Sequence, residues 1–291
     1  MEQIGFLLWA VLFYLVGLAT PTQVSLPPSL LQNQDDSRMK TRPSNAVLSR
    51  AMRSRKSVVA VIVERPPSPP DTEPAMSYGS GFVIKDGPPS SLVLTCHHVV
   101  KHAVSVRIRR VVVGAGVQEF AATVIKSEDT TDIAVLRVPG LRSELSLALN
   151  FTSPLQVNEP AVTIGYRNLE GMLDEISLAR LPATSPGCIR EVPEDFLEEF
   201  RKEAGKRIIG EEGGVVHELI LLNCVSTNGV SGGPVVDKHG VIGMATKVGI
   251  TMHIMLAVSS DTIRGVLKDF AGLPANGLSA MEEVLSRLGR R

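Results

Sequence analysis

Short apolar runs separated by Gly, Pro and Asp punctuate the chain between about residues 57 and 259. Examples are residues 92–94, 133–136, 219–225 and 235–244. Runs this short with turn residues between them predict strands, and many such strands predict barrels or a sandwich. Aromatics make up only 4% of the chain and valine is abundant, which suits pleated, half-buried surfaces. Two stretches break the pattern. Residues 194–208 place Phe196, Leu197 and Phe200 at helical spacing among charges, with Pro193 at the first turn. They predict a helical insertion, either a surface decoration or a lid. Residues 261–291 predict one or two short helices, broken at Gly272-Leu273-Pro274.

The N-terminal part reads differently. Residues 4–19 form an uncharged apolar run, long for a signal-peptide core and short for a membrane span of about 20 residues. Gly17-Leu18-Ala19 offers a small-x-small cleavage site, but no Lys or Arg precedes the run. Secretory targeting and a retained membrane anchor are the two readings. Residues 20–45 read as a disordered linker rich in Pro and Ser. Seven basic residues and no acidic ones lie between Arg38 and Lys56, which reads as a solvated tether or a contact for an anionic surface. Asn150-Phe151-Thr152 is a glycosylation sequon, meaningful only in the secretory pathway.

The 291 residues suffice for one large or two modest domains, and 44% hydrophobic content supports a substantial core. Thirty basic residues balance thirty acidic ones, so no overall charge favours nucleic acid. Three widely spaced cysteines make no disulfide framework. Cys188 and Cys224 read as unpaired.

The densest chemistry is Gly229-Val230-Ser231-Gly232-Gly233-Pro234, set between two apolar runs. Its glycines permit backbone angles closed to other residues, so successive N–H groups can face one concavity. Such a concavity stabilises the oxyanion formed when a serine attacks a carbonyl. A serine nucleophile needs a base and an acid to orient it. Among six histidines, His98 closes Thr95-Cys96-His97-His98 just after an apolar strand. Asp132 stands at the mouth of another strand, Ile133-Ala134-Val135-Leu136, while Glu128 and Asp129 are nearby competitors. Cys96, His97, His98 and His102 cluster, but no second element completes a tetrahedral set, so no metal and no cofactor are expected.

Thr-x-x-His-Val-Val, Asp-Ile-Ala-Val-Leu and Gly-x-Ser-Gly-Gly-Pro, in that order, resemble the chymotrypsin-fold serine proteases, and more closely their HtrA/Deg branch. The Tyr78-Gly79-Ser80-Gly81-Phe82 segment and Leu256-Ala257-Val258-Ser259-Ser260 add to the likeness, which covers about residues 46–270. The resemblance implies an all-β fold of two six-stranded antiparallel barrels, about residues 57–150 and 155–259. A short N-terminal helix and a C-terminal helix flank them, and residues 271–291 form a helical tail. It implies Ser231 as nucleophile, His98 as base and Asp132 as its orienting acid. The oxyanion donors would be the N–H groups of Gly229 and Ser231, helped by Val230. The spacing of the Thr95 motif selects His98 over His97.

Two departures shape the expectation. Val230 replaces an aspartate that the digestive enzymes pair with a new N-terminus. The pocket-floor position falls on Val225, which implies cleavage after small or medium apolar residues. The tail is too short for the PDZ domain that this branch often adds. Protein or peptide substrates, and a homo-oligomer, follow from the resemblance alone. A catalytically silent, protease-like binding or regulatory module, tethered to a membrane or free, is the rival reading.

Overall fold

A computed structural model of the chain describes residues 43–67, 74–112, 114–143, 146–147, 149, 155–167, 181–190, 219–248, 255–274 and 280–290. The apolar run at 4–19, the linker up to residue 42, the sequon and the 194–208 insertion lie outside the described residues, as does most of the Pro-rich loop at 64–74.

The chain enters through helix α1, Asn45–Ser54, whose N-cap Ser44 accepts a hydrogen bond from the Val47 N–H. Val47, Ala51 and Ser54, spaced one helical turn apart, form its buried face. A single 3-10 turn, Arg55–Ser57, leads into strand β1, Val58–Arg65. Strands β2, Ala75–Lys85, and β3, Ser90–Cys96, follow. A one-turn helix α2, His97–Val100, precedes β4, Ser105–Val112, β5, Gly116–Glu128, and β6, Ile133–Pro139. These six strands close into an antiparallel barrel in the order β1-β2-β3-β6-β5-β4. Closure leaves no free sheet edge.

The second barrel comprises β7, Pro160–Gly165, β8, Ala183–Arg190, β9, Leu219–Leu222, β10, Pro234–Val236, β11, Val241–Val248, and β12, Met255–Ser259. It closes in the order β10-β11-β12-β9-β8-β7. Two six-stranded antiparallel barrels, as the sequence implies, thus carry the fold. Phe82, Leu92, Leu94, Ile108, Ile133 and Leu136 are fully buried in the core that contains barrel one. Leu222, Val235, Ile242 and Met255 fill barrel two. Among the described residues, no helix is long and apolar enough to cross a membrane.

Helix α3, Ser260–Phe270, starts on the N-cap Ser259 hydroxyl and stops at Gly272, whose φ of 69° suits a residue without a β-carbon. The chain then runs back to helix α4, Met281–Arg290. This last helix is a docked element of barrel one, where the sequence predicted only a helical tail. Val284 and Leu288 are buried in the barrel-one core. Lys85 Nζ donates to the Leu285 carbonyl at 3.3 Å, and an Arg137 guanidinium nitrogen donates to the Leu288 carbonyl at 3.2 Å. Two strand cations therefore satisfy carbonyls at the negative end of the helix.

Leu288→Ala should cost about 2–5 kcal/mol of unfolding free energy, because a buried methyl cluster leaves a cavity. Glu282→Ala, on the solvent side, should stay within about 0.5 kcal/mol. Urea unfolding of the two variants beside the parent protein checks the docking of α4.

Candidate active site

Strand β3 and the turn before β6 deliver the first two candidates to one end of barrel one. Thr95, Cys96 and Ile133 pair across this ladder: Thr95 lies opposite Ala134 and Cys96 opposite Ile133. The His97 N–H donates to the Asp132 carbonyl at 3.0 Å, so the one-turn helix α2 starts against the turn that holds Asp132. Asp132 has a φ of 57°, a left-handed conformation that a short polar residue tolerates. Its carboxylate is gripped at both oxygens by one residue. The His98 N–H donates to Oδ1 at 2.8 Å, and His98 Nδ1 lies 2.7 Å from Oδ2. This fixes the imidazole plane, with Nε2 on the side of the ring away from the carboxylate. The His98 side chain is 43% exposed, so the ring can be reached by an incoming molecule.

The competing residues are engaged elsewhere. Asp129 is exposed and pairs with His97 at 3.4 Å and Lys101 at 3.5 Å. Glu128 accepts from the backbone and hydroxyl of Thr131, closing the turn in front of Asp132. His98 and Asp132 are therefore the pair that the fold brings together.

Barrel two supplies the rest through β11. The Thr246 hydroxyl donates to Asp132 Oδ2, and the Thr246 carbonyl accepts from the Ser231 hydroxyl at 3.2 Å. One residue thus touches both the acid and the serine. Ser231 Oγ donates to that carbonyl rather than to His98, an arrangement common before a substrate tightens such a site. Burial alone would push the Asp132 carboxyl up. The His98 ring, through its hydrogen bond and charge, together with the Thr246 hydroxyl and the His98 N–H, outweighs burial and holds it below the usual aspartate value.

The serine loop is shaped by packing against barrel one. The Ser231 carbonyl accepts from the Ser80 N–H at 2.8 Å, and the Gly229 carbonyl accepts from the Ser80 hydroxyl at 2.7 Å. That hydroxyl also accepts from the Tyr166 N–H at 2.8 Å. A β-carbon on Gly232 would lie 2.0 Å from the Ser80 carbonyl oxygen, and one on Gly233 would lie 2.1 Å from that of Ile164. The paired glycines are thus required by the close approach of two backbones. Among the described residues, the N–H groups of Gly229 and Ser231 meet no acceptor. Val230 does not join them. Its N–H closes the loop onto the Thr227 carbonyl at 3.4 Å, and its side chain is buried in barrel two. Val225 stands six residues before Ser231 and is 42% exposed, an accessible apolar side chain.

Two contributors, Arg65 and Thr246, escaped the sequence, and Cys96 stood there only as part of a candidate metal cluster. Arg65, at the end of β1, donates to the carbonyls of His98 and Val99 at 2.9 and 3.3 Å and so anchors the carbonyl end of α2. Thr246 carries no local signature. Cys96 Sγ donates to the Ala245 carbonyl at 3.2 Å beneath Asp132. Burial, and then the adjacent Asp132 charge, push its thiol well above the usual range. Cys96, His98 and Asp132 bring their donor atoms within 4.8 Å of one another. A thiol held protonated is a poor metal ligand, and the other two groups already bind each other. Among the described residues no cysteine is joined in a disulfide, and all three are buried.

Known proteins resemble this chain in sequence and in fold. The family model described as a trypsin-like peptidase domain matches residues 79–244. Serine protease HTRA1B of Danio rerio is 26% identical over 214 residues, covering 72% of this chain and 38% of that protein. Serine protease HTR4 of Rattus norvegicus is 24% identical over 208 residues, covering 71% and 37%. This chain therefore spans under two-fifths of the length of these curated relatives. The crystal structure of the Rv3671c protease from M. tuberculosis, in its active form, superposes with a TM-score of 0.54 at 21% identity. That match covers 87% of this chain and 94% of the other, and it concerns the fold.

Thr246→Val should lower stability at neutral pH by about 1.5–3 kcal/mol, the range for a hydrogen bond to a charged group. Asp132 has a depressed folded pKa, so its contribution is complete above the unfolded value and fades as pH falls through the folded one. The gap between variant and parent should therefore be full at pH 7 and shrink below about pH 4. Denaturant unfolding at both ends of that range checks the sign.

Proposed function

The chain belongs to the trypsin-like peptidase domain family, and from that premise we propose that it is a serine endopeptidase cutting peptide bonds through an acyl-enzyme. The observation that carries the reading is Thr246, whose hydroxyl meets Asp132 while its carbonyl meets Ser231. It sets base, acid and nucleophile around one strand.

In the proposed reaction Ser231 Oγ attacks the substrate carbonyl carbon and gives its proton to His98 Nε2. The Asp132 carboxylate, bonded to Nδ1, stabilises the imidazolium. The free N–H groups of Gly229 and Ser231 receive the negative oxygen, and losing such a donor costs about 10²–10³-fold in rate. His98 then protonates the leaving amine. Water, deprotonated by His98, releases the acyl group and restores Ser231. Val225 supports a preference for small or medium apolar residues before the cut. One methylene in such a pocket is worth only about 1–3 kcal/mol, so the preference is graded. Activation by a new N-terminus has no partner in the serine loop, because Val230 offers no carboxylate.

A silent binding module is the second reading. The Ser231 hydroxyl favours it, since it donates to Thr246 and not to His98. A fluorophosphonate probe separates the two. The protease labels at Ser231 and loses both labelling and hydrolysis in Ser231→Ala, with kcat down by about 10⁶-fold and folding intact. A protein that takes no label and cuts no member of a peptide library is the silent module. Val225→Asp should shift cleavage toward Lys and Arg by about tenfold or more relative to aliphatic residues, because a carboxylate beside the bound side chain attracts a cation. Side-by-side kcat/KM values on matched peptides measure the shift.

A further inference from the structure

Strand alternation puts a charge in the wrong place at the far end of barrel one. Along β4, Val106 and Ile108 point into the barrel and are buried, and position 110 continues that face. It carries an arginine, opposite Gln118 on β5. Arg107 and Arg109, on the outer face, share Glu119, whose carboxyl is held below the usual range by the hydrogen bond from Arg109 and outweighs its own burial. Among the described residues, Arg110 has no such partner. Its residue is only 9% exposed, its Nε is buried and meets no acceptor, and among the described residues no carboxylate pairs with it. Burying an unpaired ion is costly, so native proteins rarely leave one without a role. Asp86 Oδ1 accepts from the Ser91 hydroxyl at 2.7 Å and from the N–H of the cavity-lining Ser143 at 3.0 Å.

Arg110 does not face solid protein. It lines a cavity of about 440 Å³, with Phe120 and Val112 as apolar walls and Arg142 also lining it as an exposed residue. The volume is that of a small-molecule site. The cavity lies at the mouth opposite His98. Strand β3 and β6 run seven residues from one end to the other, about 20 Å at the strand rise.

We propose that this mouth binds a small organic carboxylate, its anion forked by Arg110 and its apolar body packed on Phe120. Guanidinium and carboxylate match in plane and in donor spacing, so the pair forms two parallel hydrogen bonds. One buried cation beside apolar walls suits a monoanion with a hydrophobic side, not a heavily hydrated phosphate. The site uses no group of the proposed triad, so the two readings stand or fall separately.

The test is thermal unfolding of the full chain bearing Ser231→Ala, which prevents self-digestion, titrated with phenylacetate, phenylacetamide and inorganic phosphate. Phenylacetate should raise Tm in a saturable way, because a ligand of the folded state stabilises it by mass action. The uncharged amide and phosphate should do so at least tenfold more weakly. Arg110→Met should melt no lower than its parent, since a hydrophobe replaces an unpaired buried charge, and should lose the phenylacetate response. Arg110→Lys keeps the charge without the fork and should respond more weakly than the parent. The proposal is overturned if acid and amide act equally, if phosphate acts as strongly as phenylacetate, if millimolar phenylacetate does nothing, or if Arg110→Met responds like its parent. The comparison of acid with amide needs no variant of Arg110, so it decides the matter even if those variants do not fold.

Discussion

Asp132 accepts from two barrels at once. Barrel one reaches it through the His98 backbone and ring, and barrel two through the Thr246 hydroxyl. A carboxylate away from water needs several donors to remain ionised, and here the donors come from segments more than a hundred residues apart. Closing the two barrels on each other is what assembles them. The position of the imidazole, and hence of the groove beside it, depends on this shared acceptor. A relative shift of the barrels would leave an ion without its partners, which gives the joint a penalty against sliding that apolar packing alone lacks.

Ser80 does the corresponding work for the serine loop. Its N–H, carbonyl and hydroxyl contact Ser231, Thr95, Gly229 and Tyr166, so one fully buried serine sits among barrel one, barrel two and the loop. With the Gly229 carbonyl directed to Ser80, the loop is wound so that the Gly229 and Ser231 N–H groups remain unspent. The glycines at 232 and 233 follow from the same approach, because a β-carbon there would strike the neighbouring backbone. The site is thus pre-organised by backbone contacts, the kind that reorganise least when charge develops.

The parts of this arrangement that sequence revealed are those where chemistry demands a residue type. Ser231, its flanking glycines, His98 and Asp132 stood out because few other residues could do the jobs proposed for them at those places. The short apolar runs separated by turns likewise announced strands, and the resemblance supplied their closure into barrels. Thr246 was hidden because a threonine in a strand is ordinary, and its role exists only once β11 crosses behind Asp132. Arg65 was hidden for a similar reason, since a cation at a strand end becomes a helix anchor only when α2 folds against it. Val230 was assigned an N–H it could not lend, because the loop's own turn consumes it. The docking of α4 was illegible because the cations that hold it, Lys85 and Arg137, lie on strands far away in the chain.

The two ends of barrel one show opposite solutions to one problem. Each carries an ionisable side chain away from bulk water. At one end the fold surrounds Asp132 with donors and holds it as a carboxylate. At the other, β4 carries Arg110 inward beside Gln118 and Phe120 and, among the described residues, no acid meets it, while the neighbouring arginines on the outer face are neutralised by Glu119. The strand therefore has a carboxylate within reach on its outer side, whereas among the described residues none meets the inner guanidinium. Apolar side chains fill the same alternation at Val106 and Ile108, so an apolar residue would also have closed the mouth at position 110. The proposed organic carboxylate would give that arginine its opposite charge from outside the described residues, as the His98 and Thr246 donors give Asp132 its partners from within them.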